Sequence, residues 1–186
     1  MLQTDRIKFP FQFDVKKLQD EVSSLGGLQW DQLFVRKDYK GDWSVISLTA
    51  KEDNKPKELL DSIDLEGSDF VSTPSLQKCP YISSILELFE CDKYSVRLMK
   101  LAQGAGTVRL LDQNLGENEV RILVPVFSNP LVTILLNDSV VDMKEGDCWY
   151  LKISDPHLIR NEGETDLIHL VLDLDLNDWI RDFLKL

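Results

Sequence analysis

A chain with only two histidines, His157 and His169, has few ways to build an imidazole base or a metal site. His157 follows Pro156 at the start of a short strand, from which a side chain can face the mouth of a barrel and serve as a ligand. His169 lies in Leu167-Ile168-His169-Leu170-Val171, where a period of two places it on one face with Leu167 and Val171, the setting of a core or partly buried histidine. Asp173, Asp175 and Asp178 are spaced like oxygen ligands, but the run lacks the glycine and closing glutamate of a calcium loop and reads as a solvated strand end. The three cysteines, Cys79, Cys91 and Cys148, have no CxxC spacing, so they read as buried free thiols rather than disulfides or zinc ligands. Gly104-Ala105-Gly106 is a turn between strands, without the spacing of a dinucleotide loop, and no nucleophile elbow or HExxH helix occurs.

These side chains need a scaffold, and the composition supplies one. The 186 residues are 43% hydrophobic, enough for an ordinary buried core. A formal charge of −11 repels phosphate backbones and anionic lipid, which argues against nucleic acid and membrane partners. No run approaches the roughly 20 apolar residues of a membrane span, and Met1 to Phe13 lacks the pattern of a secretory leader, so the expected location is cytoplasmic. Asn137-Asp138-Ser139 fits a hairpin turn better than a glycosylation site.

Asp14 can cap a helix carrying Val15, Leu18, Val22 and Leu25, stopped by Gly26-Gly27. A short helix is expected around Glu58 to Ile63, and a longer one after Pro80 with Ile82, Ile85, Leu86 and Phe89 on one face. From Tyr94 the period becomes two. Strands are expected there and at Val120 to Phe127, Val132 to Leu136, Val140 to Met143, Cys148 to Ile153, His157 to Arg160 and Leu167 to Asp173. Trp149 and Tyr150 should pack against the barrel after the Gly146 turn, and Asn177 can cap a last helix. The expected fold is mainly β, a jelly roll with flanking α-helices. It forms a single domain over 1–186: a helix-rich part over 1–93, a β core over 94–174 and a terminal helix over 177–186.

Several segments taken in order resemble one family. Gly41-Asp42-Trp43-Ser44, Cys79-Pro80-Tyr81, Ser95-Val96-Arg97-Leu98-Met99, Val120-Arg121-Ile122, Val124-Pro125-Val126 and Asn129-Pro130 are followed by Gly146-Asp147-Cys148-Trp149-Tyr150-Leu151, Pro156-His157, Asn161-Glu162-Gly163 and His169-Leu170-Val171-Leu172-Asp173. Together they look like the aspartyl/asparaginyl β-hydroxylases. That resemblance implies a cupin-like double-stranded β-helix in which iron(II) and 2-oxoglutarate activate oxygen to hydroxylate an amino-acid side chain. It also implies an HxD pair and a distant histidine as iron ligands, a set that leaves one face of the metal open.

The carry-over is uneven. By resemblance the carboxylate ligand is Asp112, the distant histidine is His157, and Arg121 keeps a cosubstrate-binding arginine. The first histidine of the pair falls on Leu110, a second family histidine on Leu123, and the arginine that clamps the keto acid on Leu167. Three polar positions have become leucine. The expectation is therefore a member with an incomplete iron and 2-oxoglutarate site, catalytically degenerate and used for binding a small molecule or a protein or peptide side chain. The alternative is an active dioxygenase with altered ligation, in which Asp112, His157 and His169 hold the metal and Arg121 anchors the cosubstrate. An unrelated cupin-like binder of a sugar or other small molecule is a third reading.

Overall fold

A computed structural model describes residues 5–27, 30–32, 39–51, 70–107 and 118–185. The expected helix at 58–63 lies outside them. The described strands are β1 (Arg6–Gln12), β2 (Asp31–Gln32), β3 (Tyr39–Lys40), β4 (Trp43–Ser47), β5 (Thr49–Lys51), β6 (Phe70–Ser72) and β7 (Lys93–Leu101) in the first half of the chain. In the second half they are β8 (Gly106–Thr107), β9 (Glu119–Phe127), β10 (Val132–Leu136), β11 (Ser139–Val140), β12 (Asp147–Leu151), β13 (His157–Asn161) and β14 (Leu167–Asp175). Three α-helices, α1 (Val15–Ser24), α2 (Pro80–Leu86) and α3 (Asp178–Leu184), and a 3-10 turn at Leu76–Lys78 complete the described elements.

A large sheet runs β1-β12-β9-β14-β7-β4-β2 and a smaller one β11-β10-β13-β8-β3, with β5 and β6 paired separately. From β7 onward the chain passes back and forth between the two sheets, and all pairings are antiparallel. This is a double-stranded β-helix, mainly β with flanking helices. The inner faces meet in two apolar clusters. One joins Ile134, Leu136, Val141, Leu151 and Ile153 with Leu123 and Trp149, and the other joins Trp43, Leu101, Ala105 and Leu167 with Met99 and Ile159. The outer face of the large sheet carries Val96, Leu98, Ile122, Val124, Leu170 and Leu172 against the helices. Trp149 thus packs inside the barrel and Tyr150 outside it, as strand alternation requires.

The helices begin where their caps predict. The Asp14 carboxylate accepts from Lys17 N at 3.1 Å, and the Asn177 side chain accepts from Ile180 N at 3.1 Å. Pro80 opens α2, whose first amides donate to the Glu21 carboxylate of α1 at 2.6 and 2.9 Å. Gly146 has φ +78°, and a Cβ there would stand 2.5 Å from the Phe13 carbonyl, so only glycine fits the turn before β12. Asn137 and Asp138 both take positive φ, 50° and 61°, in the two-residue hairpin between β10 and β11.

Two expectations need correction. The amino-terminal part, expected to be helix-rich, also supplies strands, since β1, β2 and β4 belong to the large sheet. Pro10 argues against a strand from sequence, but β1 is an edge strand, and its register breaks between Lys8 and Gln12. The strand expected at Val140 to Met143 is shorter, Ser139–Val140, because Val141 turns into the barrel interior.

Two polar devices close the barrel. Arg6 donates to the carbonyls of Leu136, Ser139 and Val140 at 2.8, 3.4 and 3.2 Å, tying the edge of the large sheet to the hairpin of the small one. Asn161, fully buried, donates through Nδ2 to the carbonyls of Leu101, Ala102 and Thr165, while its oxygen accepts from Asn129 and Gly163. It thereby fixes the turn that delivers β14. Asn161→Ala leaves these groups without their partner and should cost about 3 kcal/mol of stability. Urea denaturation checks this, and an unchanged midpoint would mean that the turn holds without the amide.

Candidate functional site

The inner face of the large sheet can be followed from the pairing. Leu167, His169, Val171 and Asp173 alternate along β14 and stand opposite Leu101, Met99, Arg97 and Ser95 of β7. On the other side, His169, Val171 and Asp173 stand opposite Pro125, Leu123 and Arg121 of β9. The small sheet contributes His157, Ile159 and Asn161 of β13, opposite Leu136, Ile134 and Val132 of β10.

Charge on this face is concentrated at one end of β14. Arg121 Nε and Nη2 donate to the two Asp173 oxygens at 2.6 and 3.1 Å, and Arg97 Nη1 donates to Asp173 Oδ2 at 2.7 Å and to Ser95 Oγ at 2.9 Å. Asp173 is therefore buried and paired, not part of a solvated strand end. Asp175 beside it is half-buried and accepts from the Tyr94 hydroxyl at 2.9 Å. Burial alone would raise the Asp173 pKa, but Arg121 and Arg97 outweigh it and hold the carboxyl at about 2. This buried charge cluster is a feature that the spacing arguments missed. Its signal was present: Arg97 in Val96-Arg97-Leu98 and Asp173 in Leu172-Asp173-Leu174 are opposite charges at inward positions of otherwise apolar strands.

His169 lies farther along the same face, 6% exposed, with no hydrogen-bond partner among the described residues. Burial pulls its pKa down to about 4, so the ring is neutral at pH 7. His157 is half-buried at the start of β13, and its Nδ1 lies 3.0 Å from the Asp155 carbonyl oxygen. A carbonyl can only accept, so Nδ1 carries a proton, and the tautomer that fits this contact has its lone pair at Nε2. Burial raises the thiols, Cys79 and Cys91 to about 11 and Cys148 higher still, as befits unreactive packing groups.

Of the residues singled out from sequence, Leu110 and Asp112 lie outside the described residues. Leu167 is buried in the inner cluster with Trp43, Leu101 and Ala105, and Leu123 packs in the other inner cluster. Arg121 is held by Asp173, and His157 and His169 stand on opposite sheets. Among the described residues no three His, Cys, Asp or Glu side chains are grouped to hold a metal. Asp112, the carboxylate expected at an iron centre, is not among the described residues, while Leu123 and Leu167 present only carbon to the barrel interior and offer no charge to a carboxylate.

The fold and this barrel interior place the chain among the cupin-like double-stranded β-helices. Solved structures similar to it include a Burkholderia pseudomallei oxidoreductase of the 2OG-Fe(II) oxygenase family, at TM-score 0.59 and 10% identity, covering 95% of this chain and 88% of that one. A Trichoplax adhaerens prolyl hydroxylase in complex with a hypoxia inducible factor peptide fragment has TM-score 0.58 and 12% identity over 93% and 84% of the two chains. A Pseudomonas putida prolyl-4-hydroxylase has TM-score 0.53 and 12% identity over 94% of each. These likenesses are of fold. No curated protein matches the sequence. The family model described as Aspartyl/Asparaginyl beta-hydroxylase matches residues 12–176, and the chain belongs to that family.

The buried groups predict two separate acid transitions. The folded pKa of His169 is depressed from 6.5 to about 4, so the unfolded chain binds the proton more tightly, and stability falls as pH drops from about 6.5 to 4, by about 3 kcal/mol. Asp173 is depressed from 3.8 to about 2; its contribution is present above pH 3.8 and is lost as pH falls toward 2, by about 2 kcal/mol. Urea midpoints measured against pH should show both segments, with the first absent in His169→Leu. At pH 7, Asp173→Asn leaves buried arginine charge without its anion and should cost about 3 to 5 kcal/mol.

Proposed function

We propose that this member of the aspartyl/asparaginyl β-hydroxylase family acts as a binding protein with an incomplete iron and 2-oxoglutarate site. The observation that carries the reading is the packing of Leu123 and Leu167 into the inner clusters at positions where the family resemblance expects a histidine and an arginine. With Leu110 at the first ligand position, Asp112 and His157 are the two family iron ligands that remain in the sequence. Two ligands hold iron(II) far more weakly than three. The pairing of Arg121 with Asp173 adds support, since a cosubstrate carboxylate would compete with a buried anion already held at 2.6 Å. The chain works as one domain. The net charge of −11 argues against nucleic acid and anionic membrane as partners, and the free thiols suit a reducing compartment such as the cytoplasm. No described helix is long and apolar enough to cross a membrane.

One observation favours a second reading, an active Fe(II)/2-oxoglutarate dioxygenase with altered ligation that hydroxylates an amino-acid or peptidyl side chain. The Asp155 carbonyl orients His157 with Nε2 as its lone-pair nitrogen, the way outer partners orient ligand imidazoles. Anaerobic iron loading followed by metal analysis and a 2-oxoglutarate turnover assay separates the two. We expect substoichiometric iron and no succinate above background, with manganese binding weakly in calorimetry. Stoichiometric iron with succinate release, or a submicromolar manganese constant lost in His157→Ala, would establish the dioxygenase instead. A complementary test restores the family residues through Leu110→His, Leu123→His and Leu167→Arg together. Thermal stabilisation by manganese with 2-oxoglutarate in that variant, and none in the wild type, is the expected result.

A further inference from the structure

We propose that Asn137 is a positioning residue for His157, acting through the turn at 152–156, and that Asp5 and Arg6 at the start of β1 hold it in place. The inference goes beyond the binding reading and stands whether or not His157 meets a metal. His157 Nδ1 lies 3.0 Å from the Asp155 carbonyl oxygen, so the imidazole takes its tautomer and direction from the Asp155-Pro156 peptide. That peptide has no N–H, because its nitrogen belongs to proline, and it is anchored through the groups on either side of it.

Asn137 takes both of those groups. Its side-chain Nδ2 donates to Asp155 Oδ2 at 2.8 Å, and its main-chain N donates to the Pro156 carbonyl at 2.8 Å. Nδ2 also donates to Asp5 Oδ2 at 3.0 Å, while the Asp5 carbonyl accepts from Lys152 N at 2.8 Å at the start of the turn. The two hydrogens of one amide thus serve two carboxylates, which uses its whole donor capacity. Cations let the two carboxylates stand this close: Arg6 pairs with Asp5 at 2.8 Å, and Lys152 pairs with Asp155 at 2.8 Å. Arg6 also donates to the carbonyl of Leu136, the residue before Asn137, at 2.8 Å. The start of β1, the β10–β11 hairpin and the turn before β13 therefore meet on one side chain. Asparagine suits the place for a second reason, since the residue takes φ 50°, which a short polar side chain tolerates.

The test uses the full chain labelled with 15N at histidine, its two rings assigned with His157→Ala. Long-range 1H–15N spectra at about pH 8.5, above the ordinary range of imidazole titration, separate the Nδ1–H and Nε2–H tautomers. Wild-type His157 should be mainly the Nδ1–H form. Asn137→Gly keeps access to positive φ and removes only the amide, and there the ratio of Nδ1–H to Nε2–H should fall about fivefold, the bias that one hydrogen bond supplies. Asp155→Ala should do the same, and Asp155→Asn, which keeps an acceptor, should recover most of the wild-type ratio. The His169 signals should stay in place throughout. An unchanged ratio in Asn137→Gly and Asp155→Ala, no recovery in Asp155→Asn, or an Nε2–H form in the wild type would overturn the proposal. So would His169 signals that move as far as those of His157, because that reports a general loosening. If Asn137→Gly does not fold, the two Asp155 variants decide. No metal enters the measurement, so its outcome is separate from the iron and succinate assays that judge the binding reading.

Discussion

Strand β14 has protein on both of its faces, and from Leu167 to Leu174 every residue on it is buried. Little water reaches either side, so a polar group there must bring its own partner or give up its charge. Asp173 takes the first course, with two guanidinium groups around it. His169 takes the second. Leu167 and Leu123 avoid the problem by having nothing polar to satisfy. The whole inner face can be understood from this constraint, because each replacement of a polar residue by leucine removes both a chemical group and the cost of sheltering it.

On the proposed reading, the barrel has kept the parts of its family's architecture that hold strands together and exchanged those that handle a cosubstrate. Asn161 and the Gly163 turn belong to the first kind. Asn161 collects carbonyls from the end of β7 and from the approach to β14, and a Cβ on Gly163 would collide with Asn129. Arg121 sits between the two kinds. The resemblance gives it to the cosubstrate, whereas its guanidinium here holds Asp173 through two of its nitrogens, which converts a recognition group into a cross-strand tie.

Much of the fold was legible because strand period and turn chemistry act locally. Asp14, Asn177, Asn137-Asp138 and Gly146 each mark their boundary through a cap or a positive φ, and these are properties of a few adjacent residues. The strand Arg6–Gln12 was not legible, because Pro10 is tolerable only on an edge, and edge position is a fact of topology. The acidic run was misread for a related reason. Its alternation resembles a solvent-facing strand end, and only the arrival of Arg97 and Arg121 from two other strands makes Asp173 an interior residue. Of the candidate site, the leucines at 123 and 167 were legible from the family resemblance, while the solitude of His169 depends on which side chains stand across from it.

The grip of Arg6 on the hairpin of the small sheet bears on how the molecule behaves in a crowd. Strand β11 lies at the edge of its sheet and exposes Val140, and an open edge with an apolar residue invites another chain to add a strand. The carbonyls of Ser139 and Val140 that such a strand would seek are already taken by the guanidinium. A single cation near the start of the chain thus serves as a guard against edge-to-edge assembly. Loss of the Arg6 guanidinium would open that edge while leaving the barrel's interior chemistry in place.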